Sequence, residues 1–121
     1  KGKFIGGEMG NRTSRSSMVA ADAIARQAID NNAVVVFSKS YCPYCAKAKN
    51  VLDSLNAKYE VLELDLRDDG NAIQDALNNL SGGRSVPRVF VKGKFIGGGD
   101  DMVSKKASGE LQKILQEAGV L

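Results

Sequence analysis

Residues 33–45 read Ala-Val-Val-Val-Phe-Ser-Lys-Ser-Tyr-Cys-Pro-Tyr-Cys, and the order of side-chain types in that stretch decides the fold. Ala33 to Phe37 is a continuous apolar run. It suits a short strand buried on both faces, and hence a central parallel strand. Pro43 suits the first turn of a helix, where its missing N–H leaves nothing unpaired. The chain's two cysteines, Cys42 and Cys45, therefore straddle a helix start. The helix is expected to run to about Asn56, with Cys45, Ala48, Leu52 and Leu55 sharing its apolar face.

Working outward, alternating elements appear on both sides. Residues 17–31 read as a helix with Val19, Ala23, Ile24 and Ala28 on one side. Tyr59 to Leu64 reads as a second strand. Asp68 to Asn71 form a turn and cap, and Ile73, Ala76, Leu77 and Leu80 mark an amphipathic helix ended by Gly82-Gly83. Arg88 to Val91 and Lys94 to Ile96 are short strands joined by a turn at Lys92-Gly93. Gly97 to Gly99 break the chain. Asp100 and Asp101 then cap one final helical region, whose stripe is Leu111, Ile114, Leu115 and Ala118. A strand–helix–strand start predicts parallel pairing with a right-handed crossover, and the later hairpin adds antiparallel strands. The expected class is α/β: a small mixed sheet with helices on both faces.

The 121 residues suit one domain. It is expected over 17–121, behind a disordered tail at 1–16 that is rich in Gly, Ser and charge. The net charge is +3, and the whole excess sits in that tail, where Lys1, Lys3, Arg12 and Arg15 face Glu8. The body is balanced, which argues against nucleic acid as a partner. No apolar run is long enough for a membrane span. A reducing, cytoplasmic compartment is expected from the two cysteines, with organelle targeting or acylation at Met9-Gly10 as the alternative roles of the tail. The heptapeptide KGKFIGG stands at 1–7 and again at 92–98. It is read as an artefact of cloning or assembly, the other reading being a spare strand copy able to pair with a sheet edge.

Two thiols three positions apart can close into a disulfide and open again. Cys42, at the mouth of its helix, faces unpaired N–H groups and the positive end of the helix dipole. Lys39 adds positive charge, and both effects lower a thiol pKa. Cys45, one turn further in, is expected to be shielded and less ionised. Cys42 is thus the expected nucleophile and Cys45 the resolving thiol, acting through a mixed disulfide. Structural zinc wants four Cys or His ligands, and a chain with two Cys and no His cannot supply them. The same lack removes Cys–His hydrolysis.

With Ser38-Lys39-Ser40-Tyr41-Cys42-Pro43-Tyr44-Cys45, Ile73-Gln74, Arg84-Ser85-Val86-Pro87 and Gly93 through Asp101, in order and at family spacing, the chain resembles a dithiol glutaredoxin of the thioredoxin superfamily. The resemblance spans about residues 17–121. It implies a thioredoxin-like fold, a four-stranded mixed sheet with an extra N-terminal helix, and a glutathione-dependent thiol–disulfide oxidoreductase. It implies a monomer that acts on glutathionylated or disulfide-containing proteins with glutathione as co-substrate and no resident metal. It also maps a glutathione site. Lys39, Gln74 and Arg84 would serve the glycine-end carboxylate, and Val86, ahead of a cis Pro87, would pair with the ligand's backbone. Tyr44 would flank the sulfur, while Gly98, Asp100 and Asp101 would hold the γ-glutamyl end. Ser85 replaces the family's usual Thr with little expected loss, and Gly99, where relatives have a side chain, is expected to loosen its loop. The rival implied by the same resemblance is a dimer around a glutathione-ligated [2Fe-2S] cluster. A thioredoxin-like reductase served by a flavoprotein is a second rival.

Overall fold

The structure is a computed structural model that describes residues 15–121. The first KGKFIGG copy, the Met9-Gly10 acylation pattern and nearly all of the expected tail lie outside the described residues. From Arg15 onward the elements are α1 (Arg15–Asn31), β1 (Val34–Ser38), α2 (Pro43–Ser54), β2 (Glu60–Glu63) and a 3-10 turn (Leu64–Leu66). Then come α3 (Gly70–Ser81), β3 (Arg88–Val91), β4 (Lys94–Gly97), α4 (Gly99–Ser108) and α5 (Glu110–Glu117).

The four strands form one sheet in the order β2-β1-β3-β4. β1 pairs parallel with β2, Val36 opposite Val61, and antiparallel with β3, Val36 opposite Val89. All five residues of β1 are buried. Because strand side chains alternate, the run feeds two cores. Val34 and Val36 meet Ala48, Val51, Leu52, Met102, Leu111 and Leu115, from α2, α4 and α5. Val35 and Phe37 meet Ala21, Ala25, Ile29, Ile73 and Leu77, from α1 and α3. The expected mixed sheet with helices on both faces, the N-terminal one included, is what forms.

Four details differ from the sequence expectation. On α1 the buried positions are Ala21, Ala25 and Ile29, whereas Val19 and Ala23, expected on the apolar side, are exposed. The final helical region is two helices, because Gly109 adopts a left-handed backbone (φ 86°) between them. The second strand is shorter than expected and passes into the 3-10 turn. Asp69 occupies the cap position of α3 without capping it: its carboxylate is taken instead by Arg67, at 2.8 and 3.0 Å. What lets α3 start there is Gly70. A Cβ at that position would stand 2.0 Å from the Leu64 carbonyl oxygen, so only glycine brings α3 down onto the 3-10 turn.

Arg88 is buried with its guanidinium 4.6 Å from the Phe95 ring centroid, and its Nε finds no hydrogen-bond partner among the described residues. Burial lowers its pKa.

Gly70→Ala should lose about 1–3 kcal/mol through overpacking, read as a lower urea midpoint. An unchanged midpoint would show that the 3-10 turn yields freely.

Candidate active site

The chain leaves the C-terminal end of β1 and turns back before α2. Cys42 N–H donates to the Lys39 carbonyl at 3.1 Å, and the Cys42 carbonyl accepts from Ala46 N–H at 3.1 Å. Cys42 therefore sits immediately ahead of Pro43, in extended backbone (φ −86°, ψ 120°). Its thiol is partly exposed, Cys45 is fully buried, and both thiols are free.

Their environments push them apart. Desolvation raises the Cys42 thiol, but it is outweighed by the Cys45 N–H, the Cys45 thiol, the Tyr44 N–H and the Lys39 charge, so the net shift is downward. Lys39 is the smallest of these contributions, which corrects the weight that the sequence placed on it. Donors at the helix start act at contact, whereas the Lys39 ammonium makes no hydrogen bond to Cys42 and acts only through its charge. For Cys45 burial dominates and raises the thiol, with the Cys42 thiol and charge adding to it. The Lys39 N–H, 3.3 Å from Cys45 Sγ, and the Ser38 hydroxyl offset only part of that.

Two segments close around this pair. The Val86–Pro87 bond is cis, and the Val86 carbonyl oxygen lies 4.0 Å from Cys42 Sγ. The glycine run packs against both neighbours. A Cβ on Gly98 would lie 3.3 Å from the Pro87 carbonyl oxygen, and one on Gly99 only 2.7 Å from the Tyr44 carbonyl oxygen. Gly99 is buried. The expectation that glycine loosens this loop is therefore wrong: Gly99 lets α4 sit directly on the start of α2.

The remaining sequence candidates fall into two groups. On one side, Asp101 Oδ2 accepts from Gly98 N–H at 2.9 Å and so fixes the start of α4. Asp100 is exposed and receives Lys47 Nζ at 3.0 Å, and that ammonium also lies 4.9 Å from the Tyr44 ring centroid. On the other side, buried Gln74 donates from Nε2 to the Arg84 carbonyl at 2.7 Å, tying α3 to the loop before Val86. Arg84 turns along α3: its Nε donates to Asp75 Oδ1 at 2.9 Å.

Sequence reasoning missed Asp65 and Lys47. Asp65 accepts from the Ser40 N–H at 2.8 Å with one oxygen and from the Ser40 hydroxyl with the other. Those bonds hold its carboxyl below the usual range. No pattern in the sequence joins positions so far apart; only the parallel pairing of β1 and β2 brings them together.

The family model described as Glutaredoxin matches residues 34–96. A relative from Ricinus communis named Glutaredoxin is 51% identical over 96 residues, covering 79% of this chain and 94% of the relative. The crystal structure of oxidized glutaredoxin 2 from Chlamydomonas reinhardtii matches with a TM-score of 0.82 and 52% identity, covering 86% of this chain and 98% of that one. The buckwheat glutaredoxin–glutathione complex matches with a TM-score of 0.84 and 42% identity, covering 89% and 98%. Relatives named chloroplastic in Oryza sativa (46% identical over 97 residues, 80% of this chain and 73% of the relative) and mitochondrial in Bos taurus (44% over 115 residues, 93% and 73%) are also similar, so the fold itself assigns no compartment.

Asp101→Ala should cost about 1 kcal/mol of stability, because it strips an acceptor from the start of α4. Lys47→Ala should cost less than about 0.5 kcal/mol, because the Lys47–Asp100 pair is exposed. Chemical denaturation of both variants reads the difference, and equal losses would contradict this account of the two aspartates.

Proposed function

The chain belongs to the glutaredoxin family of glutathione-dependent thiol–disulfide oxidoreductases, and on that premise we propose that it reduces protein–glutathione mixed disulfides through Cys42. The observation that supports this reading best is the inequality of the two thiols. One is lowered by helix-start donors and partly exposed, while the other is raised and buried.

In the proposed cycle the Cys42 thiolate attacks the glutathione sulfur of a glutathionylated protein. The protein–glutathione S–S bond breaks, the protein leaves as thiolate and takes a proton, and Cys42 carries the glutathione. The thiolate of a second glutathione attacks that sulfur, releasing the Cys42 thiolate and glutathione disulfide. For a protein disulfide, Cys45 resolves the intermediate after losing its proton. The raised Cys45 thiol makes that step slower at neutral pH.

The glutathione subsite is proposed from the same geometry. The backbone of Val86, opposite Cys42, would pair with the ligand's cysteine residue as an added strand, with Pro87 holding the turn. Lys39 and Gln74 would take the glycine-end carboxylate. Arg84 would contribute once released from Asp75. The N–H groups at Gly98 and the start of α4, with Asp100 and Asp101, would take the γ-glutamyl end, the ligand's ammonium displacing Lys47 from Asp100. Tyr44 would flank the sulfur. The catalytic unit is proposed as residues 17–121 and as a monomer in a reducing compartment.

Cys42→Ser should abolish turnover with a glutathionylated peptide, while Cys45→Ser should retain it. Electrons should come from glutathione plus its reductase and not from thioredoxin reductase. Appreciable turnover by the Cys42→Ser variant would sink the assignment. The competing cluster-bridged dimer predicts visible absorption and doubled mass after anaerobic purification; a colourless monomer is expected.

A further inference from the structure

The loop that delivers Cys42 is short, and one carboxylate outside it holds it in place. Asp65 stands on the 3-10 turn at the end of β2, the strand parallel to β1. It takes both donors of Ser40, the backbone N–H at 2.8 Å and the hydroxyl. Ser40 lies between Lys39 and Tyr41. Lys39 in turn does two things with its own backbone. Its carbonyl accepts from the Cys42 N–H at 3.1 Å, and its N–H donates to Cys45 Sγ at 3.3 Å. The two cysteines are thus referenced to the same residue, and that residue is referenced to Asp65.

We propose that Asp65 is a positioning residue for the redox pair: its two-oxygen grip on Ser40 fixes the backbone of Lys39, and through it the placement of Cys42 at the start of α2. Asp65 is hydrogen-bonded to Ser40 and to neither sulfur. It acts by geometry, and the sign of its effect separates geometry from charge. As a bare negative charge Asp65 would disfavour a thiolate nearby, so its removal would make Cys42 more acidic. As a clamp it favours the thiolate, so its loss makes Cys42 less acidic. The charged or titratable groups that face this arrangement are Lys39, which influences both Asp65 and Cys42, and the Cys45 thiol beside Cys42.

The inference rests on Cys42 being the attacking thiolate. Its test therefore uses alkylation of the reduced protein by iodoacetamide as a function of pH, which needs neither glutathione nor turnover. Failure of the glutathione reading and failure of the clamp are then distinguishable. Asp65→Asn keeps an acceptor for the Ser40 N–H and a donor for its hydroxyl, with no charge. Asp65→Ala keeps neither. The alanine variant should move the Cys42 alkylation midpoint up by about half a pH unit or more, while the asparagine variant should stay within about 0.2 of the parent, as geometry-dominated shifts require. Ser40→Ala, which retains the N–H bond, should move it in the same upward direction but less, and it keeps the test open if Asp65→Ala fails to fold. Downward shifts in both Asp65 variants, or no shift in Asp65→Ala together with Ser40→Ala, would overturn the proposal.

Discussion

Val34, Val35, Val36 and Phe37 are buried on alternate faces of β1, and the strand has no solvent face at all. That constraint sets the rest of the molecule. A strand that needs cover on both sides must have helices above and below, which α2, α4 and α5 provide on one face and α1 and α3 on the other. Burying such side chains stabilises by roughly 1.5–3 kcal/mol each, enough to fix the position of β1 against local slippage. The C-terminal end of β1 is therefore held at one defined point at the edge of the two cores. The loop to Cys42 starts from that point.

From there the chemistry is a matter of which groups reach the sulfurs. The N-terminal donors of α2 point at Cys42 because Pro43 opens the helix directly after it. Helix-end effects are worth about 0.3–1 kcal/mol at exposed sites and more where partly buried. They outweigh the Lys39 charge, the smallest of the contributions that lower Cys42. Cys45 is raised although it lies on the same helix that lowers Cys42, because one turn along α2 puts it on the buried face with Ala48 and Leu52. The inequality of the pair thus comes from helix periodicity plus one buried face.

Much of this was legible in the sequence. The apolar run at 33–37, the proline after Cys42 and the three-and-four spacing from Cys45 to Leu52 are local signals, and they marked the buried strand, the helix start and the unequal thiols. The motif segments also supplied Val86, whose carbonyl oxygen lies 4.0 Å from Cys42 Sγ. The losses have a common cause. Asp65 against Ser40, Lys47 against Asp100, and Gly99 against the Tyr44 carbonyl are contacts between distant positions that no periodicity encodes. Gly99 was misjudged because a glycine in a glycine run looks like freedom, whereas here its missing Cβ permits a 2.7 Å approach. Arg84 lies against Asp75 for the same reason: its partner sits on a helix face that only the folded α3 presents. The break at Gly109 was local, yet the stripe of Leu111, Ile114, Leu115 and Ala118 lies wholly beyond it and so carried no sign of the turn.

The central claim is that the fold makes two chemically identical thiols unequal, with Cys42 acidic and Cys45 not. The most direct measurement is a pH titration of the cysteine Cβ resonances by carbon-13 NMR in the reduced 121-residue chain. The account predicts that Cys42 titrates below the ordinary thiol value of about 8.5 and Cys45 above it. If Cys45 ionised first, or both titrated together at the ordinary value, the account would be contradicted.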